Sequence, residues 1–214
     1  MGCHSLPPAG KPDVFVLEFY LTRKRTILRV QSTLVLCIAL VCGVVLIGAA
    51  ASDSDGSQSR VQTGLRISPV PLDLQGKNHA KVGLGSYLVN AVGSCNDCHT
   101  CPSFTPGHNP YFGQPKPWVN GTNYLAGGIH FGPFTSANLT PDSNGLPAGL
   151  TLQEFIQVIR TGHDPNPEPG HPPLLQVMPW PILGNMTDHD LSAIYAYLTA
   201  IPSAQPGTCG GPSE

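Results

Sequence analysis

Residues 95–99 have the sequence Cys-Asn-Asp-Cys-His, and this stretch decides how the rest of the chain is interpreted. Two thiols separated by two residues can reach the two vinyl groups of one porphyrin, and the next residue then presents an imidazole to the iron. The motif therefore predicts one covalently attached haem c, held by Cys95 and Cys98, with His99 as an axial ligand. No second C-x-x-C-H string occurs in the 214 residues, so one haem is expected.

Three other uses of these residues compete with haem attachment. Cys95 and Cys98 could form a redox dithiol, although no alternating strand and helix pattern surrounds them. Together with His99 and Cys101 they could hold zinc, although four ligands within seven residues suit a tetrahedron poorly. They could also form an ordinary disulfide in an oxidising compartment.

Methionine opposite histidine is the ligand pair that raises the potential of an electron-carrying haem. After residue 51 the chain has two methionines, Met178 and Met186. Met178 lies in Val-Met-Pro-Trp-Pro, where the two prolines favour a stiff extended loop. We therefore predict Met178 as the second axial ligand. Met186 precedes a capping sequence and is interpreted as a hydrophobic staple beside a helix start.

The remaining polar and aromatic candidates receive weaker assignments. Arg160 and Trp180 are suggested as partners of the haem propionates or the haem edge. The other histidines are expected to be surface or hydrogen-bonded residues instead of ligands, because most of them lie in polar or Pro/Gly-rich loops. No nucleophile or acid–base pair indicates independent catalysis, so whether the protein is an enzyme is left open, with an electron carrier favoured.

The N-terminal part of the chain has the composition of an export leader. Basic residues at 23–25 and 29 precede an apolar run, 34–51, that has no charge and ends in three alanines. Residues 1–51 are therefore a signal peptide or a membrane anchor, and both alternatives stay open. Either one places the remainder in the periplasm, free or anchored to the cytoplasmic membrane.

Composition limits the fold and the partners. Hydrophobic residues make up 41% of the chain and charged residues 11%, with 24 glycines and 23 prolines. Residues 52–214 carry six Lys and Arg against eleven Asp and Glu, which argues against nucleic-acid binding. Redox partner proteins are expected instead, such as a dehydrogenase or a terminal oxidase.

Apolar spacing and capping sequences predict three main helices. The first covers about 78–92, the second follows the capping box Thr151–Glu154, and the third follows Thr187. The segment 100–150 is expected to be mostly loop, with a few turns or a small hairpin. The predicted division is a linker at 52–75, a cytochrome c domain at 76–203 and a flexible tail at 204–214. A disulfide between Cys101 and Cys209 is a further hypothesis.

Several ordered segments together carry a resemblance to a known family. They lie at 85–89, 95–99, 135–142, 155–164, 178–180 and 190–198. Taken together they resemble bacterial class I cytochromes c, and most of all the haem modules of membrane-bound alcohol and aldehyde dehydrogenase cytochrome subunits. The resemblance implies an all-α cytochrome c fold, His99/Met178 ligation, covalent haem c and a periplasmic location.

The resemblance also sets the functional alternatives. Dehydrogenase cytochrome subunits often carry three such modules, whereas this chain has one motif. The leading hypothesis is a periplasmic electron-transfer protein. The alternative is an electron-accepting cytochrome subunit of a periplasmic dehydrogenase, or a haem oxidoreductase such as a relative of thiosulfate dehydrogenases.

Overall fold

The computed structural model describes residues 55–167, 172–207 and 209. The predicted leader at 1–51, with its N-terminal hydrophobic helix, lies outside the described residues. Helices dominate the described part, and the regular elements follow in chain order. They are α1 (55–67), α2 (His79–Tyr87) with a π-helical turn (Leu88–Val92), α3 (Cys95–His99), a 3₁₀ turn (Pro110–Phe112), β1 (His130–Phe131), β2 (Phe134–Thr135), α4 (Leu152–Thr161), α5 (Trp180–Leu183) and α6 (Asp188–Leu198).

The three predicted helices correspond to α2 with its π-helical turn, α4 and α6. Helix α4 begins at the predicted capping box: Thr151 Oγ1 accepts from the Glu154 backbone N–H, and the Glu154 carboxylate accepts from the Thr151 N–H. Helix α6 is capped by Thr187, whose side chain accepts from the Asp190 N–H. The prediction of a mostly helical fold is confirmed, and the structure adds one small sheet. Strands β1 and β2 pair antiparallel as a short hairpin inside the predicted loop region.

Helix α2 lies between two other helices because it carries glycine on two faces. A Cβ at Gly83 would lie 2.7 Å from the Val61 carbonyl oxygen of α1, and one at Gly85 would collide with the Ala193 carbonyl of α6. The missing side chains therefore let three helix backbones approach closely. Ser86 adds a hydrogen bond of 2.7 Å from its buried hydroxyl to the Gly64 carbonyl of α1.

The main core lies where α2, α4 and α6 face one another. Its members include Val82 from α2, Phe155 and Ile159 from α4, and Leu191 and Leu198 from α6. Each of these side chains is at least nine-tenths buried. This core is the surface against which the segments bearing the candidate haem ligands pack.

Two segments differ from the sequence-based description. Within the predicted linker, residues 55–67 form α1, and Val61 is buried in a small second cluster with Leu84 and Ala193. The polar sequence of α1 hides this role, because its contact with α2 rests on three residues, Val61, Gly64 and Leu65. Within the predicted tail, residues 204–207 and 209 contact the domain, as described below. The domain boundaries themselves stay a prediction.

The described ranges also bear on membrane association. None of their helices has the length and apolar character needed to cross a bilayer.

We expect Gly85→Ala to destabilise the domain by about 2–3 kcal/mol, because the new methyl group would force α2 away from α6. Urea unfolding of the haem-loaded protein measures the effect. Gly56→Ala is the matched control, since Gly56 also lies in a helix but has nothing within 4 Å of its Cβ position. That control should be neutral or stabilising. Equal effects of the two substitutions would contradict the proposed close approach at Gly85.

Candidate haem-attachment site

The Cys-Asn-Asp-Cys-His motif forms α3, a single helical stretch of five residues. Ser94 precedes it in the left-handed conformation at φ 48°, which costs a non-glycine residue about 1–2 kcal/mol. A Cβ at Gly93 would lie 3.2 Å from the Cys95 Sγ, so the chain turns tightly around that thiol. The sharp turn separates α2 from α3 and brings Cys95, Cys98 and His99 onto one short helix.

Both motif cysteines are free thiols. Cys95 is half-buried against the main core, and burial, with the neighbouring Cys98 and Asp97 contributing, raises its pKa to about 11. Cys98 is exposed, and its pKa is also raised, by partial burial first and by Asp97 second. Two neutral thiols three residues apart are the groups that thioether attachment to a porphyrin requires.

Cys101 is not available as a third thiol at this site. It forms a disulfide with Cys209, with the two Cα atoms 5.8 Å apart, so the hypothesis of a Cys101–Cys209 pair is confirmed. The four-residue zinc set considered from the sequence is therefore not assembled, and Cys95 and Cys98 are not paired with each other. Within the described ranges, no group of three or more His, Cys, Asp or Glu side chains is arranged to hold a metal ion by itself.

His99 is oriented by the Ala137 carbonyl oxygen, which lies 2.8 Å from Nδ1. Because a carbonyl only accepts, Nδ1 carries the proton and Nε2 keeps its lone pair. Burial lowers the pKa of His99, and the bond to Ala137 opposes that shift in part. A neutral imidazole with its second nitrogen already bonded is the form in which histidine binds a metal. The residues present therefore fit a haem iron at Nε2.

The segment that carries Ala137 lies beside two other chain segments. The His99 carbonyl accepts from Gly127 N at 2.7 Å, and the Leu125 carbonyl accepts from Leu139 N at 2.8 Å. Segments 99–100, 125–128 and 136–139 thus lie side by side. Gly127 has φ 73°, and a Cβ there would lie 2.6 Å from the Ala137 carbonyl carbon. A larger residue at 127 would push Ala137 away from His99.

Met178 lies in the segment between α4 and α5. It is half-buried and packs against the main core. The segment is fixed to the end of α4, because Leu175 N donates to the Gly162 carbonyl at 2.8 Å and the Trp180 indole lies against Gly162. These contacts hold the segment, but the expected extended loop is wrong from Trp180 onward: Trp180–Leu183 form α5, and Pro181 fits in its first turn, where no helical N–H bond is required. The ligand role of Met178 stays a prediction.

Met186 immediately precedes Thr187, the N-cap of α6. It packs against the core cluster that contains Leu191, four positions beyond the cap. This is the arrangement of a hydrophobic staple.

Arg160 and Trp180 have partners within the protein. The Arg160 guanidinium donates to the Gly184 carbonyl and to Asp188, the latter at 2.6 Å, so it joins α4 to the start of α6. The Trp180 indole N–H donates to the Leu175 carbonyl at 3.2 Å. Their suggested contact with a haem stays a prediction. Four other histidines hydrogen-bond locally or face a neighbouring acid, namely His79, His108, His130 and His189.

Apolar side chains are exposed on both segments that carry candidate ligands. Val92 precedes the motif and is 59% exposed, and Val177 precedes Met178 and is 45% exposed. Ile182 in α5 is 74% exposed. A porphyrin presents two apolar faces, so side chains of this kind suit its surroundings.

Comparison with curated proteins identifies relatives, although no family model matches the sequence. The chain is 30% identical over 133 residues, 59% of its length, to the cytochrome c subunit of alcohol dehydrogenase (quinone) from Gluconacetobacter polyoxogenes and from Komagataeibacter europaeus. It is 31% identical over 121 residues, 56% of its length, to the gluconate 2-dehydrogenase cytochrome c subunit of Pantoea cypripedii. These relatives are cytochrome c subunits of dehydrogenases. The resemblance inferred from the sequence is therefore confirmed, and the matches span about a quarter of each relative, 23–24%.

A buried polar network behind the cytochrome c motif was not predicted from the sequence. Asn90, in the π-helical turn, accepts from the Tyr124 hydroxyl at 2.5 Å and donates to the Tyr197 hydroxyl at 3.2 Å. The two tyrosine hydroxyls lie 3.0 Å apart, and both rings are at least 98% buried. Burial, followed by the charge of Tyr197 and then that of Cys95, raises the pKa of Tyr124 well above its ordinary value. The Asn90 side chain extends a helical pattern in sequence, so nothing local marks it as the centre of a network.

Tyr124→Phe should lower the free energy of unfolding by about 1–3 kcal/mol, because it leaves the partly buried Asn90 Oδ1 without its donor. Denaturant titration of the haem-loaded protein gives this value. The matched control is Tyr111→Phe, because the Tyr111 side chain is 81% exposed. That change should stay within about 0.5 kcal/mol. Indistinguishable stabilities would mean that the network contributes nothing to the fold.

Proposed function

We propose that this protein carries electrons outside the cytoplasm on a single haem c. Cys95 and Cys98 attach the haem, and His99 and Met178 bind its iron. The observation that carries the proposal is the state of α3: two free thiols and a histidine with Nδ1 bonded and Nε2 free, within five residues. When bound, the haem supplies an iron that alternates between the ferrous and ferric states.

The remaining structure supports a cytochrome c fold around that haem. Helices α2 and α6 cross at Gly85 and Ala193, and α4 closes the same core. The Met178 segment begins at the end of α4, where contacts to Gly162 hold it. A thioether binds iron weakly, so a segment fixed at both Leu175 and Trp180 favours a permanent six-coordinate site over an open one.

The redox partner proposed here is a dehydrogenase. The similarity to curated proteins supports it, because the matched proteins are cytochrome c subunits of an alcohol and a gluconate dehydrogenase. The chain would then act either as a free carrier that accepts electrons from such an enzyme or as its cytochrome subunit. A cysteine-ligated oxidoreductase is less favoured, since Cys101 and Cys209 are joined to each other.

The periplasm is the proposed location, with the leader at 1–51 either cleaved or kept as an anchor. The buried Cys101 and its disulfide suit an oxidising compartment. The acidic balance of residues 52–214 would favour a partner with a basic docking face.

Expression with a cytochrome c maturation system should give one covalently bound haem per chain. The pyridine haemochrome should have a c-type spectrum, and the haem should stay with the protein on acid–acetone extraction. Cys95→Ala with Cys98→Ala should lose all covalent haem. Cys101→Ala with Cys209→Ala is the matched control and should keep it. A b-type spectrum or a haem-free wild type would overturn the proposed function.

Met178→Ala should keep the covalent haem but lose one axial ligand. We expect high-spin ferric iron that binds added imidazole, and a midpoint potential lower by on the order of a tenth of a volt, within the ~0.8 V that axial ligands span. Optical spectra and a potentiometric titration measure both. Met186→Ala should remain low-spin at the wild-type potential. If instead Met186→Ala loses the ligand and Met178→Ala does not, the assignment to Met178 is wrong.

A further inference from the structure

The C-terminal residues 204–207 and 209 cross all three segments that hold His99 in place. Cys209 is joined to Cys101, two residues after His99. Gly207 lies directly against the Cys101 carbonyl, and a Cβ at Gly128 would collide with the Gly207 carbonyl. The C-terminal chain therefore contacts the haem-attachment segment and the 125–128 segment at the same point.

The same residues also reach the segment that carries Ala137. The Ala204 carbonyl accepts from Asn138 Nδ2 at 2.9 Å, and Ala204 N donates to Thr140 Oγ1 at 3.1 Å. The Gln205 carbonyl accepts from Asn123 Nδ2 at 3.0 Å. Asn138 and Thr140 lie one and three residues beyond Ala137, so these bonds fix the backbone next to the carbonyl that orients His99.

The position of the Ala137 carbonyl depends on these contacts with neighbouring segments. It lies outside every helix and strand, and it is itself exposed. Its carbonyl determines the strength of the Nδ1–H bond, and that bond determines the basicity of Nε2 toward the iron. A small displacement of the segment 136–140 would therefore reach the iron through His99.

We propose that residues 204–207 and 209, closed by the Cys101–Cys209 disulfide, form a C-terminal strap that positions His99 and thereby tunes the haem potential. This proposal rests on the proposed function, because the strap would act on the haem through His99. Asn138 is the positioning residue, because it bonds the strap to the segment that carries Ala137. The disulfide attaches the strap to the haem-attachment segment. A disulfide that only stabilised the fold would leave the hydrogen bond from His99 to Ala137 unchanged, and with it the bond from His99 to the iron.

The test compares the haem-loaded wild type with Cys101→Ala/Cys209→Ala. In the ferrous protein, NMR follows the hydrogen exchange of the His99 Nδ1–H, which should become about tenfold faster as its bond to Ala137 weakens. The midpoint potential should rise, because a less basic imidazole stabilises ferric iron less. Asn138→Ala, which keeps the disulfide, should shift both quantities in the same direction and decides the matter if the double variant does not fold.

Thr151→Ala is the control for stability alone. It removes the N-cap of α4, costs about 1 kcal/mol and touches no part of the strap. Its exchange rate and potential should match the wild type. Wild-type values in both strap variants would overturn the strap while leaving the proposed function intact, as would an equal change in Thr151→Ala. A wild type without covalent haem would overturn the proposed function itself.

Discussion

The close approach of α2 to α6 at Gly85 is the contact on which the rest of the site depends. Because Gly85 has no side chain, the Ala193 carbonyl can lie against the α2 backbone. One turn further along the same pair of helices, Asn90 meets Tyr197, and Tyr197 meets Tyr124. The chain then turns sharply at Gly93 and Ser94 and enters α3. The crossing thus sets where the haem-attachment motif starts relative to the core.

The π-helical turn at Leu88–Val92 connects the contact of α2 with α6 at Gly85 to the sharp turn at Gly93 and Ser94. A π turn has one more residue than an α turn, and such bulges often occur near functional sites. Here it directs the Asn90 side chain inward, where both its donor and its acceptor find buried partners. A paired polar network at the edge of the core favours one arrangement, because a shift would leave a polar group without its partner.

Much of the fold and part of the site could be predicted from local sequence. Thr151 and Glu154 mark the start of α4 because a capping box is formed by residues three apart. The motif at 95–99 likewise lies within five consecutive residues, so its chemistry can be inferred from local sequence. Helix α1 could not be predicted, since its burial rests on Gly64 and Val61 meeting a helix that lies 20 residues further on. The role of Ala137 was equally hidden, because any residue offers a backbone carbonyl and only the fold brings that one to His99.

The four cysteines of the described residues differ in bonding: Cys101 and Cys209 form a disulfide, whereas Cys95 and Cys98 are free thiols. Cys98 and Cys101 are three residues apart, close enough in sequence to compete for the same partner. The fold separates them, since Cys98 is exposed whereas Cys101 is completely buried and points to the C-terminal chain. Burial also raises the pKa of Cys95 to about 11, which lowers its thiolate fraction and slows thiol–disulfide exchange. The arrangement that gives Cys101 to Cys209 therefore leaves Cys95 and Cys98 as free thiols, as the proposed attachment of haem requires.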